Sequence, residues 1–152
     1  MINLGPYSGK NLPDIKPGYT LTQQIMDVVL ILLLVIMWIL TLVSYDAGRG
    51  ISQFMWALSG TLITVIFLLP GRLRVKHYNF PVRVNEQNIY RQYKLATFVV
   101  KFMGIQINAL FLAGLITNPT GERSGLTGIP LFFIILLAVT LLAYYVVARR
   151  LR

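Results

Sequence analysis

Apolar residues gather along this chain in four runs, each about as long as a bilayer crossing. The first, "IMDVVLILLLVIMWILTLVS", covers residues 25–44, and the second, "ISQFMWALSGTLITVIFLL", covers 51–69. The third, "ATFVVKFMGIQINALFLAGLI", covers 96–116, and the fourth, "IPLFFIILLAVTLLAYYVVA", covers 129–148. A hydrocarbon core of about 30 Å asks for about 20 apolar residues in a helix, and each run supplies roughly that. Pro70-Gly71 closes the second run and Asn118-Pro119 the third, both of them helix stops. Pro130 falls in the first turn of the fourth, where a helix accepts it. The pattern predicts an all-α membrane protein with four transmembrane helices. Residues 1–24 form an N-terminal segment and 25–152 the membrane domain, with a connector at 70–95.

The first run is longer than the apolar core of 7–15 residues found in a signal peptide. It also follows a polar segment containing Gly and Pro, so it reads as a retained helix. The first 20 residues, "MINLGPYSGKNLPDIKPGYT", show no periodicity and predict a loosely ordered tail.

Basic residues give the direction of threading. Lys10 and Lys16 precede the first run; Arg72, Arg74, Lys76, Arg83, Arg91 and Lys94 occupy the connector; Arg149, Arg150 and Arg152 follow the fourth run. Only Arg49 and Arg123 lie in the other two loops. Cytoplasmic loops carry the excess of Lys and Arg, so both termini and the connector are expected in the cytoplasm. Trp38, Tyr45 and Trp56 then fall near the outer interface and Tyr144 and Tyr145 near the inner one, where amphipathic rings prefer to sit.

Polarity continues from the connector into the third run. Asn85, followed by Glu86 and Gln87, reads as an N-cap with an acidic first turn. From there Gln87, Lys94, Lys101 and Asn108 recur every seven residues, a narrow stripe drifting about 20° per heptad. An ionisable group inside a span is a functional candidate. The acid available to Lys101 within a span is Asp27, and both spans start from the same side. Counted from the span starts, the two differ by about three residues, or roughly 4.5 Å of rise, which a lysine side chain covers. Asp27 and Lys101 are therefore expected to pair near the cytoplasmic interface; the alternative is that each snorkels separately to the headgroups. Asn108, two turns deeper, is a candidate for an interhelical hydrogen bond. In the second run Gln53, Ala57, Gly60 and Thr64, spaced by 4, 3 and 4, make a small or polar face suited to close helix packing.

Composition narrows the chemistry. The 152 residues are 56% hydrophobic and 12% charged, about half the charge of a soluble domain. A net charge of +9 would suit nucleic acid only if displayed on a soluble face. Here it lies between apolar runs, which points to anionic lipid headgroups instead. Absence of cysteine removes disulfides and thiol catalysis. One histidine, His77, and five scattered acids supply no metal set. His77 could sense pH, although a lone surface histidine is more often incidental. The alternation in "GRLRVKHYNFPVRV" predicts a short extended segment whose basic residues contact headgroups or an acidic partner.

The stretch "YNFPVRVNEQNIYRQYKLAT" resembles the cytoplasmic segment of an uncharacterised family of small bacterial membrane proteins, whose domain often occurs beside Sdp-type toxin-immunity domains. The matching residues are Asn79, Pro81, Val82, Glu86, Asn88, Arg91, Gln92, Tyr93, Lys94, Leu95, Ala96 and Thr97. Members mainly from Bacteroidetes carry a Pro-rich segment with His, Asn and Gly between spans one and two. This chain has only "YDAGRG" there. The resemblance implies a bacterial cytoplasmic-membrane protein and little about activity. The expected function is a non-enzymatic accessory or structural subunit, or an immunity-like protein, associating with another membrane protein or with itself. The alternative is a small oligomeric transporter or channel using Asp27, Lys101 and Asn108. No cofactor, metal or nucleic acid is expected. A lipid-modifying enzyme would need paired carboxylates, a His–Ser or Cys arrangement, or metal ligands.

Overall fold

The computed structural model describes residues 7–8, 16–44, 50–85, 87–117 and 128–151. Four helices dominate: α1 (Leu21–Val43), α2 (Gly50–Leu68), α3 (Ile89–Thr117) and α4 (Gly128–Arg150). Three of them, α1, α3 and α4, are long and apolar enough to cross a membrane. The described apolar part of α2, Gln53–Leu68, is shorter. Four spans were expected; the length criterion is met by three.

Helices α1 and α3 start well before their apolar runs, where side-chain caps precede them. Thr20 caps α1: its Oγ1 accepts from the Gln23 N–H, and Gln23 Oε1 accepts from the Thr20 N–H. This reciprocal box satisfies two donors that a helix start leaves open and begins α1 at Leu21, four residues before the apolar run. A similar exchange precedes α3. Asn85 Oδ1 accepts from the N–H groups of Gln87 and Asn88, while Asn88 Oδ1 accepts from the Asn85 N–H. The helix then runs unbroken for 29 residues, about 43 Å at 1.5 Å per residue.

Side-chain meetings give the helix directions. Trp38 of α1 meets Phe54 and Thr61 of α2. Trp56 of α2 meets Phe111 of α3, and Gln106 of α3 meets Thr140 of α4. Late α1 thus meets early α2, early α2 meets late α3, and early α3 meets late α4 where Gln92 bonds Ala148, an up-down-up-down order. Helix α3 packs against the other three, and α1 also packs on α2. The predicted small face of α2 is buried: Ala57 is fully so, and Gln53, Gly60 and Thr64 lie beside it. Backbones approach closely at two α3 glycines. A Cβ on Gly104 would stand 2.6 Å from Phe67, and one on Gly114 would stand 3.3 Å from Trp56.

The connector is extended over only part of the stretch whose alternation predicts it. Val75–His77 (η1) form a turn of 3-10 helix, followed by strand β2 (Asn79–Phe80), which pairs antiparallel with β1 (Tyr7–Ser8). The aromatic content overrides the simple alternation. Val75, Tyr78 and Phe80 turn inward against Ile89, Tyr93 and Ala96 of α3, with Val84 and Tyr144 at the edge. Arg72, Arg74, Lys76 and His77 stay exposed. Gly71 makes the turn after α2 with φ of +86°, and its N–H donates to Tyr78 Oη at 3.0 Å. Described parts of the N-terminal tail are anchored, not loose: β1 joins β2, and Pro17 is buried. Glu86, Tyr45, Lys10, Arg49, Arg123 and Arg152, on which parts of the capping, interface and charge arguments rest, lie outside the described residues.

Gly104→Ala should lower stability by about 1–3 kcal/mol, because the new methyl overpacks against the Phe67 ring. Gly114→Ala, which meets Trp56 less tightly, should cost less. Thermal unfolding of both variants in one detergent tests the order; equal losses would contradict the packing.

Candidate functional site

One charge sits fully inside the bundle. Lys101, in the middle of α3, has no exposed surface, and Asp27 on α1 is 7% exposed. Lys101 Nζ makes an ion pair with Asp27 Oδ1. The other carboxylate oxygen accepts a hydrogen bond from the Tyr19 hydroxyl, and the Tyr19 oxygen accepts from Lys101 Nζ at 3.1 Å. The three groups close a ring in which each partner meets the other two. An isolated charge taken out of water costs several kcal/mol, and only close pairing with further hydrogen bonds offsets it. Tyr19 supplies that further bonding.

The tail delivers Tyr19 through local structure. Thr20 caps α1, so the residue before it enters at a fixed angle, and Gly71 lets the ring come close. A Cβ at Gly71 would stand 2.9 Å from the Tyr19 ring and 3.3 Å from the Thr97 methyl. Thr97 Oγ1 in turn donates to Tyr78 Oη at 3.3 Å. The connector and the ion pair therefore share a wall.

A second tier of polar contacts lies farther along α3. Asn108, fully buried, is seven residues beyond Lys101, about 10 Å along the axis. Its Nδ2 donates to Thr64 Oγ1 at 3.2 Å and to the Gly104 carbonyl at 3.3 Å. Gln106 Nε2 donates to Thr140 Oγ1 on α4 at 2.9 Å. Trp38 Nε1 donates to Thr61 Oγ1 at 3.0 Å, joining α1 to α2. At the end of α4, Gln92 Nε2 donates to the Ala148 carbonyl at 2.9 Å.

The heptad stripe divides at the start of the membrane-length helix. Gln87 and Lys94 are exposed, whereas Lys101 and Asn108 are buried. Arg72, Arg74, Lys76, Arg83 and Arg91 are exposed as well. Lys94 lies over the Tyr90 ring at 4.2 Å. Sequence reasoning missed Tyr19, Gln92 and Gln106. Tyr19 belongs to a segment without periodicity. Gln92 and Gln106 lie off the heptad stripe, and the acceptor for Gln92 is a backbone carbonyl, which no residue type signals.

Among the described residues, no three His, Asp or Glu side chains gather as metal ligands would. Comparison with protein-family models, with curated proteins and with solved structures yields no match. The chemistry of this region must therefore be read from its own geometry. It neutralises one buried charge between α1 and α3, and ties α2 and α4 to α3 through amides, hydroxyls and a backbone carbonyl.

Removing one partner of a buried ion pair strands the other and typically costs about 3–5 kcal/mol. Asp27→Asn and Lys101→Gln should each cost stability on that order, and the double variant should cost clearly less than their sum. Tyr19→Phe should cost about 1.5–3 kcal/mol, the range for losing a hydrogen bond to a charged group. Thermal unfolding in detergent checks all four, and additive losses would show that the pair is not coupled.

Proposed function

We propose that this chain is a non-enzymatic integral membrane protein that works by association, as an accessory or structural subunit or an immunity-like protein. The carrying observation is the closure of Lys101 on Asp27 and Tyr19. An intramembrane charge used for transport faces a pathway; this one is spent within the fold. Asn108 and Gln106 likewise donate to neighbouring helices. What remains outward is apolar: Leu131, Phe132, Ile134, Ile135, Val139 and Leu142 of α4 are all more than half exposed. Such a face suits lipid or a second membrane helix.

In this reading α2 is the fourth span. Supporting it, α2 and the turn after it pass from the level of Gly114, beside Trp56, to that of Thr97, beside Gly71. Those 17 residues of α3 correspond to about 26 Å of rise, close to the hydrocarbon thickness. Both termini and the connector lie in the cytoplasm of a bacterial inner membrane, with the basic connector against anionic headgroups. The resemblance around "NFPVRVNEQNIYRQYKLA" supports the bacterial source, and the excess of Lys and Arg supports the orientation.

The transporter or channel reading keeps one observation in its favour. Asn108 Oδ1 and Gln106 Oε1 are buried acceptors without a hydrogen-bond partner, both above the ion pair on α3. Gentle detergent extraction followed by size and mass analysis separates the two. A stable complex with a different membrane protein is expected; a homo-oligomer whose ion flux vanishes in Lys101→Gln would overturn the accessory role. Orientation has its own check, because the chain has no cysteine. His77→Cys should react with a membrane-impermeant maleimide only after permeabilisation, and Thr117→Cys should react in intact cells. The reverse pattern would invert the topology.

A further inference from the structure

A cleft of ≈ 340 Å³ opens where α1 begins, lined by Thr20, Thr22, Gln23, Lys94, Leu95 and Phe98. Leu95 and Phe98 also line a groove of ≈ 350 Å³ between α3 and α4, which continues past Phe102, Leu136 and Val139. The two depressions share a wall, and the cleft adds Lys94, Gln23 and two threonines to the apolar surface that dominates both.

Most of the cleft's surface is apolar, and its polar groups come from Thr20, Thr22, Gln23 and Lys94. Lys94 is exposed, rests on the Tyr90 ring and has no carboxylate partner among the described residues. Gln23 is 2% exposed; its Oε1 is used by the Thr20 N–H, but its Nε2 has no hydrogen-bond partner. A buried amide donor left open costs free energy unless something accepts from it. The first turn of α1 carries no acidic residue, so no carboxylate there offsets the positive end of the helix. Thr22 adds an exposed hydroxyl. A cation, an open amide donor, a hydroxyl and a helix start all favour an anion with several acceptor oxygens.

The groove favours a hydrocarbon chain. Its polar members are few, and the Thr140 hydroxyl already donates to the Leu136 carbonyl while accepting from Gln106. From Val147 to Leu136 it follows eleven residues of α4, about 16 Å of rise. One leaflet of a bilayer is about 15 Å of hydrocarbon, half of the 30 Å core.

We infer that cleft and groove together hold one anionic phospholipid, its phosphate against Lys94, Thr22 and Gln23 and one acyl chain along α3 and α4. The inference rests on the helices crossing a bilayer, not on the accessory role. Native mass spectrometry of the detergent-purified chain, titrated with phosphatidylglycerol or with phosphatidylcholine of the same acyl chains, tests it. The wild type should retain one phosphatidylglycerol about fivefold more strongly, the gain expected from one basic residue at a headgroup. Lys94→Gln, which removes the cation resting on the Tyr90 ring, should bring retention down to that of phosphatidylcholine. Ala143→Phe, which fills the groove, should weaken both lipids. Equal retention of the two lipids by the embedded wild type, or unchanged preference in Lys94→Gln, would overturn the site. A chain that alkaline carbonate strips from vesicles would overturn the membrane reading beneath it.

Discussion

Everything in this fold is arranged around the need of α3 to carry polar groups through an apolar bundle. Lys101, Gln106 and Asn108 lie within eight residues of one another on a single helix, and each faces a different problem. Lys101 needs a counter-charge, which α1 provides; Asn108 needs an acceptor, which α2 provides; Gln106 needs one too, which α4 provides. A helix with such a set cannot lie at the edge of the bundle, because an unpaired polar group in hydrocarbon costs several kcal/mol. The central position of α3 follows from its own side chains.

Close approach makes those bonds possible. Short polar side chains such as Asn and Thr span only a narrow gap, so the backbones must come near. Gly60 and Gly104 supply the room, Gly60 against Met37 and Asn108, and Gly104 against Phe67. Small residues and polar pairs are therefore one device rather than two. The small face of α2, legible as Gln53, Ala57, Gly60 and Thr64, and the Asn108 amide on α3 belong to a single contact.

Much of this could be read in advance where periodicity or a fixed depth scale applied. Apolar run length gave helices to within a few residues at most ends, and depth from the span starts put Asp27 and Lys101 about three residues apart, roughly 4.5 Å of rise and within a lysine's reach. Reading failed where the decisive contact is nonperiodic. Thr20 and Gln23 start α1 early through a capping exchange, and no hydropathy pattern registers a cap. Tyr19 joins the ion pair from a segment with no repeat. The connector alternates like a strand, yet Tyr78 packs on Phe80 and Tyr93, and that aromatic cluster bends 75–77 into a 3-10 turn.

The ion pair also orders events in time. Asp27 and Lys101 are 74 residues apart. At a synthesis rate of about 5–20 residues per second the carboxylate is made roughly 4–15 s before its lysine. Asp27 sits in the second turn of α1, close enough to the helix start to remain hydrated while it waits. Lys101, made later, arrives at the same depth and meets an acid already in place. Helix α1 thus acts as a template: it must be in place, acid inward, before α3 can settle its charge, and assembly acquires a direction from the N-terminus that no single contact would impose.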